Sequence, residues 1–310
     1  SLVTTLDPHS SYLNPEEYKE SQISTSGKFG GLGIEINMDR ERSVIRIISP
    51  IADTPASKAG LIPGDLITHV DGDPIKGMDL RYAVKRLRGR PNTRVRLRIQ
   101  RKDTVFDVVI TRAIIHIQPI KWKVEGDIGI IRITHFITRS DVALQTALDK
   151  MFKNSNYQIN GLVLDLRNNP GGLLNQSVSV ADTFLESGEI VSVRSRMGNQ
   201  REFSADGQDL IDGLPIVVLI NRGSASASEI VAGALQDHGR AVVMGTRSFG
   251  KGSVQTITPL NWNGALRLTT ALYYLPSGRT IQGRGVTPDI ELSNRSEGPE
   301  RKIEGDLPNA

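Results

Sequence analysis

The sequence has no cysteine among its 310 residues. That excludes a thiol nucleophile, disulfide bridges and thiolate-bound metals together. It is compatible with an oxidising compartment without requiring one. Long apolar runs are also missing: no window approaches the roughly 18 apolar residues of a membrane span. The N-terminus, Ser1-Leu2-Val3-Thr4-Thr5, has neither Met nor the basic, apolar and small-residue order of a signal peptide. The chain is therefore expected to be a mature or trimmed piece whose targeting information lies elsewhere. Histidines are few and scattered. His9, His69, His116, His135 and His238 contain no i, i+4 pair, so no metal site is expected.

What is present has the composition of a globular protein, with 38% hydrophobic and 23% charged residues. The length suggests two or three domains. Formal net charge is +4 and the sequence pI is about 9.3. The basic residues are spread out, and their densest stretch, Arg81 to Lys102, reads as a helix and then a strand. Nucleic-acid binding is not expected. The charge suggests at most a mild attraction to anionic membrane surfaces.

Residues 1 to about 26 are polar and end in the loop-like Ser24-Thr25-Ser26-Gly27. From Lys28 to about Arg112 the signals are those of a small, mainly β unit. A Gly-rich turn at Phe29 to Gly33 runs into an alternating strand, and further strands are expected at 44–48, 65–70, 95–99 and 105–110. Thr54-Pro55 starts a short helix that ends before Gly60. Leu80, Ala83, Val84 and Leu87 stand at helical spacing. From Ile114 onward strands alternate with helices. The near-continuous apolar runs 162–166 and 215–220 read as strands buried on both faces, and the whole as an α/β core with a partly parallel sheet. Residues 293–310 are charged, contain Pro and Gly, and are expected to be a flexible tail.

Three stretches could carry chemistry. Asn221-Arg222-Gly223-Ser224-Ala225-Ser226-Ala227-Ser228-Glu229 joins an apolar strand to a helix. A serine at such a bend projects its hydroxyl, and the helix start offers free N–H groups to a developing oxyanion. An ordinary Ser-rich helix cap looks the same. Gly245 to Ser253 nearly matches the phosphate-binding pattern G-x-x-x-x-G-K-[ST], but Gly252 replaces the magnesium-holding hydroxyl and a strand rather than a helix follows. What remains is Lys251 enclosed by glycines. Desolvation there would favour the neutral amine, which can deprotonate a serine; a surface lysine in a glycine turn is the plain alternative. Asp165-Leu166-Arg167-Asn168-Asn169-Pro170-Gly171-Gly172 ends the other buried strand. Its glycines could present N–H groups, and Asp165 with Arg167 could brace the strand end. A Ser-His arrangement fares worse. His238 lies about three turns along the helix begun by Ser226, roughly 18 Å away, and fits a helix C-terminus better.

Together these stretches resemble the carboxyl-terminal processing peptidases, or tail-specific proteases. Leu6-Asp7-Pro8-His9-Ser10-Ser11-Tyr12-Leu13 resembles the segment that precedes the PDZ domain in that family. The resemblance covers residues 1 to 292. It implies a crotonase-like α/β protease core and a mainly β PDZ domain with two helices, divided as 1–27 N-terminal segment, 28–112 PDZ domain, 113–292 core and 293–310 tail. It implies Ser226 as nucleophile, Lys251 as general base, Gln255 orienting Lys251, and the N–H groups of Gly172 and Ala227 as oxyanion hole, with no cofactor or metal. In the PDZ domain, Gly30, Gly31, Leu32 and Gly33 would hold a substrate's terminal carboxylate. The tail would add as a strand beside Ile34, with Leu32, Ile34 and Leu80 lining an apolar pocket. In such enzymes the position of the PDZ domain can gate the site, which makes Ser24 to Gly27 and Arg112 to Pro119 candidate hinges. The expected partners are protein or peptide C-termini. The resemblance also implies a periplasmic or other extracytoplasmic setting, and leaves an activating adaptor, homo-oligomerisation and peripheral membrane association open. A non-catalytic PDZ scaffold and a Ser-Lys amidase of small substrates are the alternatives.

Overall fold

The computed structural model describes residues 2–39, 41–156, 158–261, 264–292 and 303–307. The chain divides into two compact units, one of residues 1–26 with 118–310 and one of residues 27–117.

The larger unit is built on a six-stranded sheet. Its strands run in the order Ile120–Glu125, Ile128–Ile133, Gly161–Asp165, Ile216–Ile220, Ala241–Gly245 and Ile290–Glu291. The first two form an antiparallel hairpin, and every later neighbour is parallel. Parallel neighbours need crossovers, which the helices Ser140–Asn154, Leu174–Asp182 and Ala227–Asp237 provide. Leu144, Met151, Val180, Ile230 and Leu235 from those helices share one core with Leu164, Val218 and Val243 from the strands. The helix Ala227–Asp237 buries every residue from Ala227 to Leu235, Glu229 included. It is apolar around most of its girth because it lies inside the unit.

A second, antiparallel sheet centres on the long strand Ala265–Tyr274, which pairs with Ser11–Leu13, Glu189–Ser195 and Ser253–Pro259. The loop between Ala241–Gly245 and Ser253–Pro259 thus passes from one sheet to the other, and Lys251 sits on it.

Two expectations change in this unit. Ser24 to Ser26, expected to be loop-like, are instead the end of a helix, Pro15–Ser26, that buries none of its residues. A solvent-surrounded helix has no apolar period to read. Its start was nonetheless written in Asn14-Pro15-Glu16-Glu17: Asn14 Oδ1 accepts from the N–H groups of Glu16 and Glu17, both at 3.0 Å, and Glu17 Oε2 accepts from Asn14 N–H at 2.9 Å. The tail is the second correction. Ile303–Leu307 contains a short 3-10 turn, Glu304–Asp306, in which Glu304 is fully buried. It is anchored because its carboxylate finds donors, as described below. The rest of the expected flexible tail, 293–302 and 308–310, lies outside the described residues.

The smaller unit is an antiparallel sheet ordered Ile34–Asp39, Val44–Pro50, Leu66–Val70, Arg94–Arg101, Thr104–Thr111. It carries two helices, Pro55–Lys58 and Leu80–Leu87, and a separate ribbon of Lys28–Gly31 with Ala113–His116. Along Arg94–Arg101, Val95, Leu97 and Ile99 point inward while Arg94, Arg96 and Arg98 are exposed, the period of two that the sequence displays. Asp79 caps its helix by accepting from Arg81 N–H at 2.8 Å. Thr54 stands at the N-cap of the short helix, but its hydroxyl turns to the carbonyls of Ile51 (2.6 Å) and Gly33 (3.0 Å) and so fastens the Gly-rich turn.

Of the second candidate hinge, Ala113–His116 is strand, and Arg112 is locked in place. Its guanidinium donates to the carbonyls of Leu87 (3.0 Å), Arg86 (2.8 Å) and Arg94 (3.0 Å) and to Thr93 Oγ1 (3.1 Å), with the residue 8% exposed. Two of these carbonyls belong to the last turn of the helix Leu80–Leu87, where a cation is favoured. Arg112→Met is expected to destabilise the smaller unit by about 3 kcal/mol, because buried carbonyls lose a charged donor. Urea denaturation of the full chain, followed by circular dichroism, measures this.

Candidate active site

The strand Ile216–Ile220 leads through Asn221 to Ser226 into the helix Ala227–Asp237. Ser226 stands at the helix N-cap with φ 55° and ψ −114°. This region is open to glycine and costs other residues roughly 1–3 kcal/mol. It persists because the surroundings fix the bend on every side. Ser224 Oγ donates to Leu166 O (2.8 Å) and accepts from Asn221 N–H (3.0 Å). Ala225 N–H and Ser228 Oγ both donate to Asn169 O, at 3.0 and 2.9 Å.

Asn169 is fully buried and is the residue that sequence reading missed. Its amide donates to Ile133 O (2.9 Å) and accepts from Gly171 N–H (2.9 Å). It thereby holds the Pro170-Gly171-Gly172 turn against both the sheet and the Ser226 bend. The fit is close: a methyl group on Gly171, which has φ 98°, would lie 2.9 Å from both Ser226 Cβ and Ala227 N. One on Gly172 would lie 2.0 Å from Phe136 O. Only glycine is accommodated at either position. The two expected oxyanion donors, Gly172 N–H and Ala227 N–H, thus belong to segments in direct contact. Asp165 takes Arg167 in a bidentate pair, with Nε and Nη2 both at 2.9 Å, and so braces the strand end. Burial pushes the Asp165 carboxyl up, but the hydrogen bonds and charge of Arg167, with Arg132 farther off, hold it below the ordinary range.

Glu229, three residues past Ser226, joins the second loop to the first. Its Oε2 accepts from the N–H groups of Ser226 (2.7 Å) and Lys251 (2.9 Å). Its Oε1 accepts from Gly250 N–H (2.7 Å) and Ser248 Oγ (2.5 Å). Burial pushes this carboxyl up to about 7, against four donors that favour the carboxylate. Lys251 itself is mostly enclosed. Burial lowers its ammonium below 10.5, helped by Arg267 and opposed by the carboxylates of Glu304, Glu229 and Asp7. The flanking glycines are pinned as well: Gly252 N–H donates to Gln282 Oε1 (2.9 Å), and Gly250 O accepts from Gly283 N–H (2.9 Å).

Among the described residues, no hydrogen bond joins the Ser226 hydroxyl to the Lys251 ammonium; the link through Glu229 is between the two backbone N–H groups. Gln255 is placed differently from expectation. Its Nε2 donates to Ser253 Oγ (3.0 Å) and to Thr269 Oγ1 (3.2 Å) of its strand partner rather than engaging Lys251. His238 ends its helix and donates from Nε2 to Glu189 O at 2.7 Å, which commits it away from Ser226. No group of residues able to hold a metal occurs among those described.

In the smaller unit, Ile34–Asp39 has a single strand neighbour and so presents an open edge. Gly30 O accepts from Gly89 N–H at 3.0 Å, and Gly31 ends the strand before Leu32 and Gly33, whose carbonyls accept from Ala56 N–H and Ile51 N–H, both at 2.9 Å. Gly33 has φ 76°, and a methyl group there would meet Thr54 Cβ at 2.3 Å. Leu32 is 2% exposed and belongs to the core. Ile34 and Leu80, the other two residues expected to line a pocket, are half-buried.

With the geometry in view, comparison with known proteins decides the family. The model of peptidase family S41 matches residues 127–292, and the carboxy-terminal-processing protease of Bartonella bacilliformis is 55% identical over 293 residues, 93% of this chain and 67% of that protein. The chain belongs to peptidase family S41. A PDZ-domain model matches residues 46–101 of this S41 chain. A probable CtpA-like serine protease of Staphylococcus saprophyticus is 38% identical over 289 residues, covering 92% of this chain and 58% of its own length. The chain therefore spans between about three fifths and two thirds of these curated relatives. Among solved structures, the photosystem II D1 C-terminal processing protease aligns with TM-score 0.58 and 33% identity over 94% of this chain and 79% of that one. A putative S41 protease from Bacteroides fragilis, 17% identical, shares the fold with TM-score 0.56 over 91% of this chain and 78% of that one. The expected S41 core and PDZ domain are thus both present. No described helix is long and apolar enough to cross a membrane.

Two outcomes test this geometry. Ser226→Gly is expected to stabilise the protein by about 1 kcal/mol by relieving the strained bend, whereas Ser226→Ala keeps the strain; thermal unfolding of the two variants separates them. Glu229 has a raised folded pKa, so the stability it contributes is complete below 4.5 and is lost as pH rises through about 7. Glu229→Gln is expected to abolish that loss, about 3 kcal/mol across the window. The variant is also expected to be less stable than the native chain at its best pH, since an amide NH₂ would face two donors. Urea unfolding of both proteins at a series of pH values measures the difference.

Proposed function

We propose that this chain is a serine endopeptidase in which Ser226 and Lys251 act as a dyad on proteins presented by their C-terminal tails. The observation that carries the reading is the Ser226 bend. A serine is kept in a glycine-only conformation at a helix start, and its backbone shares one carboxylate with the backbone of a desolvated lysine. A structural N-cap would need no such strain.

In this reading the neutral Lys251 amine takes the Ser226 proton as Oγ attacks the scissile carbonyl. The oxyanion is met by the N–H groups of Ala227 and Gly172, with the helix start adding positive potential. Lys251 returns the proton to the departing amine, leaving an acyl-enzyme. It then activates the water that releases the product. Gln255 offers Oε1 to Lys251 once substrate has drawn the loops together, since catalytic hydrogen bonds are often loose without substrate. The substrate tail adds as a strand along the open edge of Ile34–Asp39, its carboxylate held at Gly30 to Gly33 and its last side chain against Ile34 and Leu80. The location is extracytoplasmic, as the resemblance to tail-specific proteases implies.

The test is cleavage of an unfolded protein that ends in an apolar tail. Ser226→Ala and Lys251→Ala are each expected to lower kcat at least a thousandfold, and amidation of the substrate's C-terminus to raise KM with little change in kcat. Cleavage that survives in Ser226→Ala would sink the dyad. The rate is expected to rise with pH through a midpoint below 10.5, the ordinary value for lysine. Arg267→Gln removes a like charge near Lys251, so it should move that limb to higher pH.

A further inference from the structure

The segment Asp7-Pro8-His9-Ser10 touches no reacting atom in the scheme above, where Asp7 enters only through its charge on Lys251, yet its hydrogen bonds lead straight to Gln255. Asp7 Oδ1 accepts from the N–H groups of His9 and Ser10, each at 2.9 Å, and from Thr269 Oγ1 at 2.9 Å. Asp7 Oδ2 accepts from Ser10 Oγ at 2.5 Å, and Ser10 Oγ in turn accepts from Thr269 N–H at 3.0 Å. The turn therefore grips Thr269 at both its backbone and its side chain. Thr269 is the strand partner of Gln255, and Thr269 Oγ1 receives Gln255 Nε2 at 3.2 Å.

Donor arithmetic gives this chain a direction. An ionised carboxylate only accepts, and the hydrogen bonds of Ser10, His9 and Thr269 outweigh burial to keep Asp7 ionised. Thr269 has one hydroxyl proton and gives it to Asp7, so its oxygen has only acceptor capacity left for Gln255. The Gln255 side chain must then present NH₂, not carbonyl, to Thr269. Ser253 Oγ takes the second amide hydrogen at 3.0 Å. Both hydrogens are committed, and Oε1 is left as the acceptor to offer an ammonium. A flipped amide would set an oxygen against Thr269 and turn NH₂ toward a cation.

We propose that Asp7 is a positioning residue for the catalytic machinery, acting through Thr269 to fix which end of the Gln255 amide is offered to Lys251. This rests on the reading in which Gln255 orients Lys251. It assigns work to an N-terminal segment that the nucleophile, base and oxyanion donors leave unexplained.

The experiment measures kcat and KM for the unfolded, apolar-tailed protein substrate with Asp7→Asn, Thr269→Val, Thr269→Ser, Gln255→Ala and the double variant Thr269→Val/Gln255→Ala, with the melting temperature of each. Thr269→Val keeps the side-chain shape without the hydroxyl, and serves if Asp7→Asn disturbs the turn. Asp7→Asn and Thr269→Val should each lower kcat roughly tenfold with KM unchanged. Thr269→Ser should restore kcat. The double variant should be no slower than Gln255→Ala alone, because both changes remove one interaction. Losses that multiply in the double variant, or native kcat in Thr269→Val while Gln255→Ala is impaired, overturn the role given to Asp7. Native kcat in Gln255→Ala overturns instead the reading of Gln255 on which it rests.

Discussion

The Glu229 carboxylate receives hydrogen bonds from the backbones of both Ser226 and Lys251, and their relative placement depends on it. The two residues lie on different connections: one leaves a parallel strand for a helix, the other passes between two sheets. Neither connection alone would fix the separation of Ser226 and Lys251. A fully buried acceptor with four donors does so, because each lost bond would leave a polar group unpaired where water cannot reach it. The same helix that carries Glu229 supplies Ala227 N–H, so Ser226, Ala227 N–H and the brace for the Lys251 loop belong to one body.

Strain and close packing work together at this site. Ser226 is held in a conformation it would leave if it could. It is kept there by Gly171, whose missing side chain lets the turn after Asn169 press against Ser226 Cβ and Ala227 N. Asn169 ties that turn to the sheet through Ile133 and to the bend through Ala225 and Ser228. The geometry is stored in the fit between two loops at the ends of adjacent parallel strands, the ordinary place for a site in such a sheet.

The parallel sheet was legible because Leu162 to Leu166 and Pro215 to Ile220 are apolar runs, and the smaller unit because Val95, Leu97 and Ile99 alternate with arginines. Ser226 and Lys251 were legible as candidates from their small neighbours. The bond between their loops was not, since Glu229 reads locally as an ordinary first-turn acid. Asn169 was invisible for a similar reason: its partners Ile133 and Ala225 are far away in sequence. The helix Pro15–Ser26 hid behind its polar composition, and the buried Glu304 behind a charged tail, because burying a carboxylate depends on donors that no local pattern reveals.

Glu304 also sets an order of assembly. Its N–H donates to Phe249 O (2.9 Å), its carboxylate meets His9 Nε2 at 2.7 Å and Gln282 Nε2 at 3.1 Å, and Gln282 in turn holds Gly252. His9 and Glu304 are 295 positions apart. Contacts of such separation carry the largest loop-closure cost and form late. During synthesis the segments around Ser226 emerge, and the parallel sheet can form, before Glu304 has been made. The loop bearing Lys251 gains its last supports only when the chain has been extended through Glu304 and has met His9. A nascent chain would therefore carry the Ser226 bend for some time without a fully braced Lys251 loop, and the complete arrangement would arrive as the closing event of folding rather than growing with length.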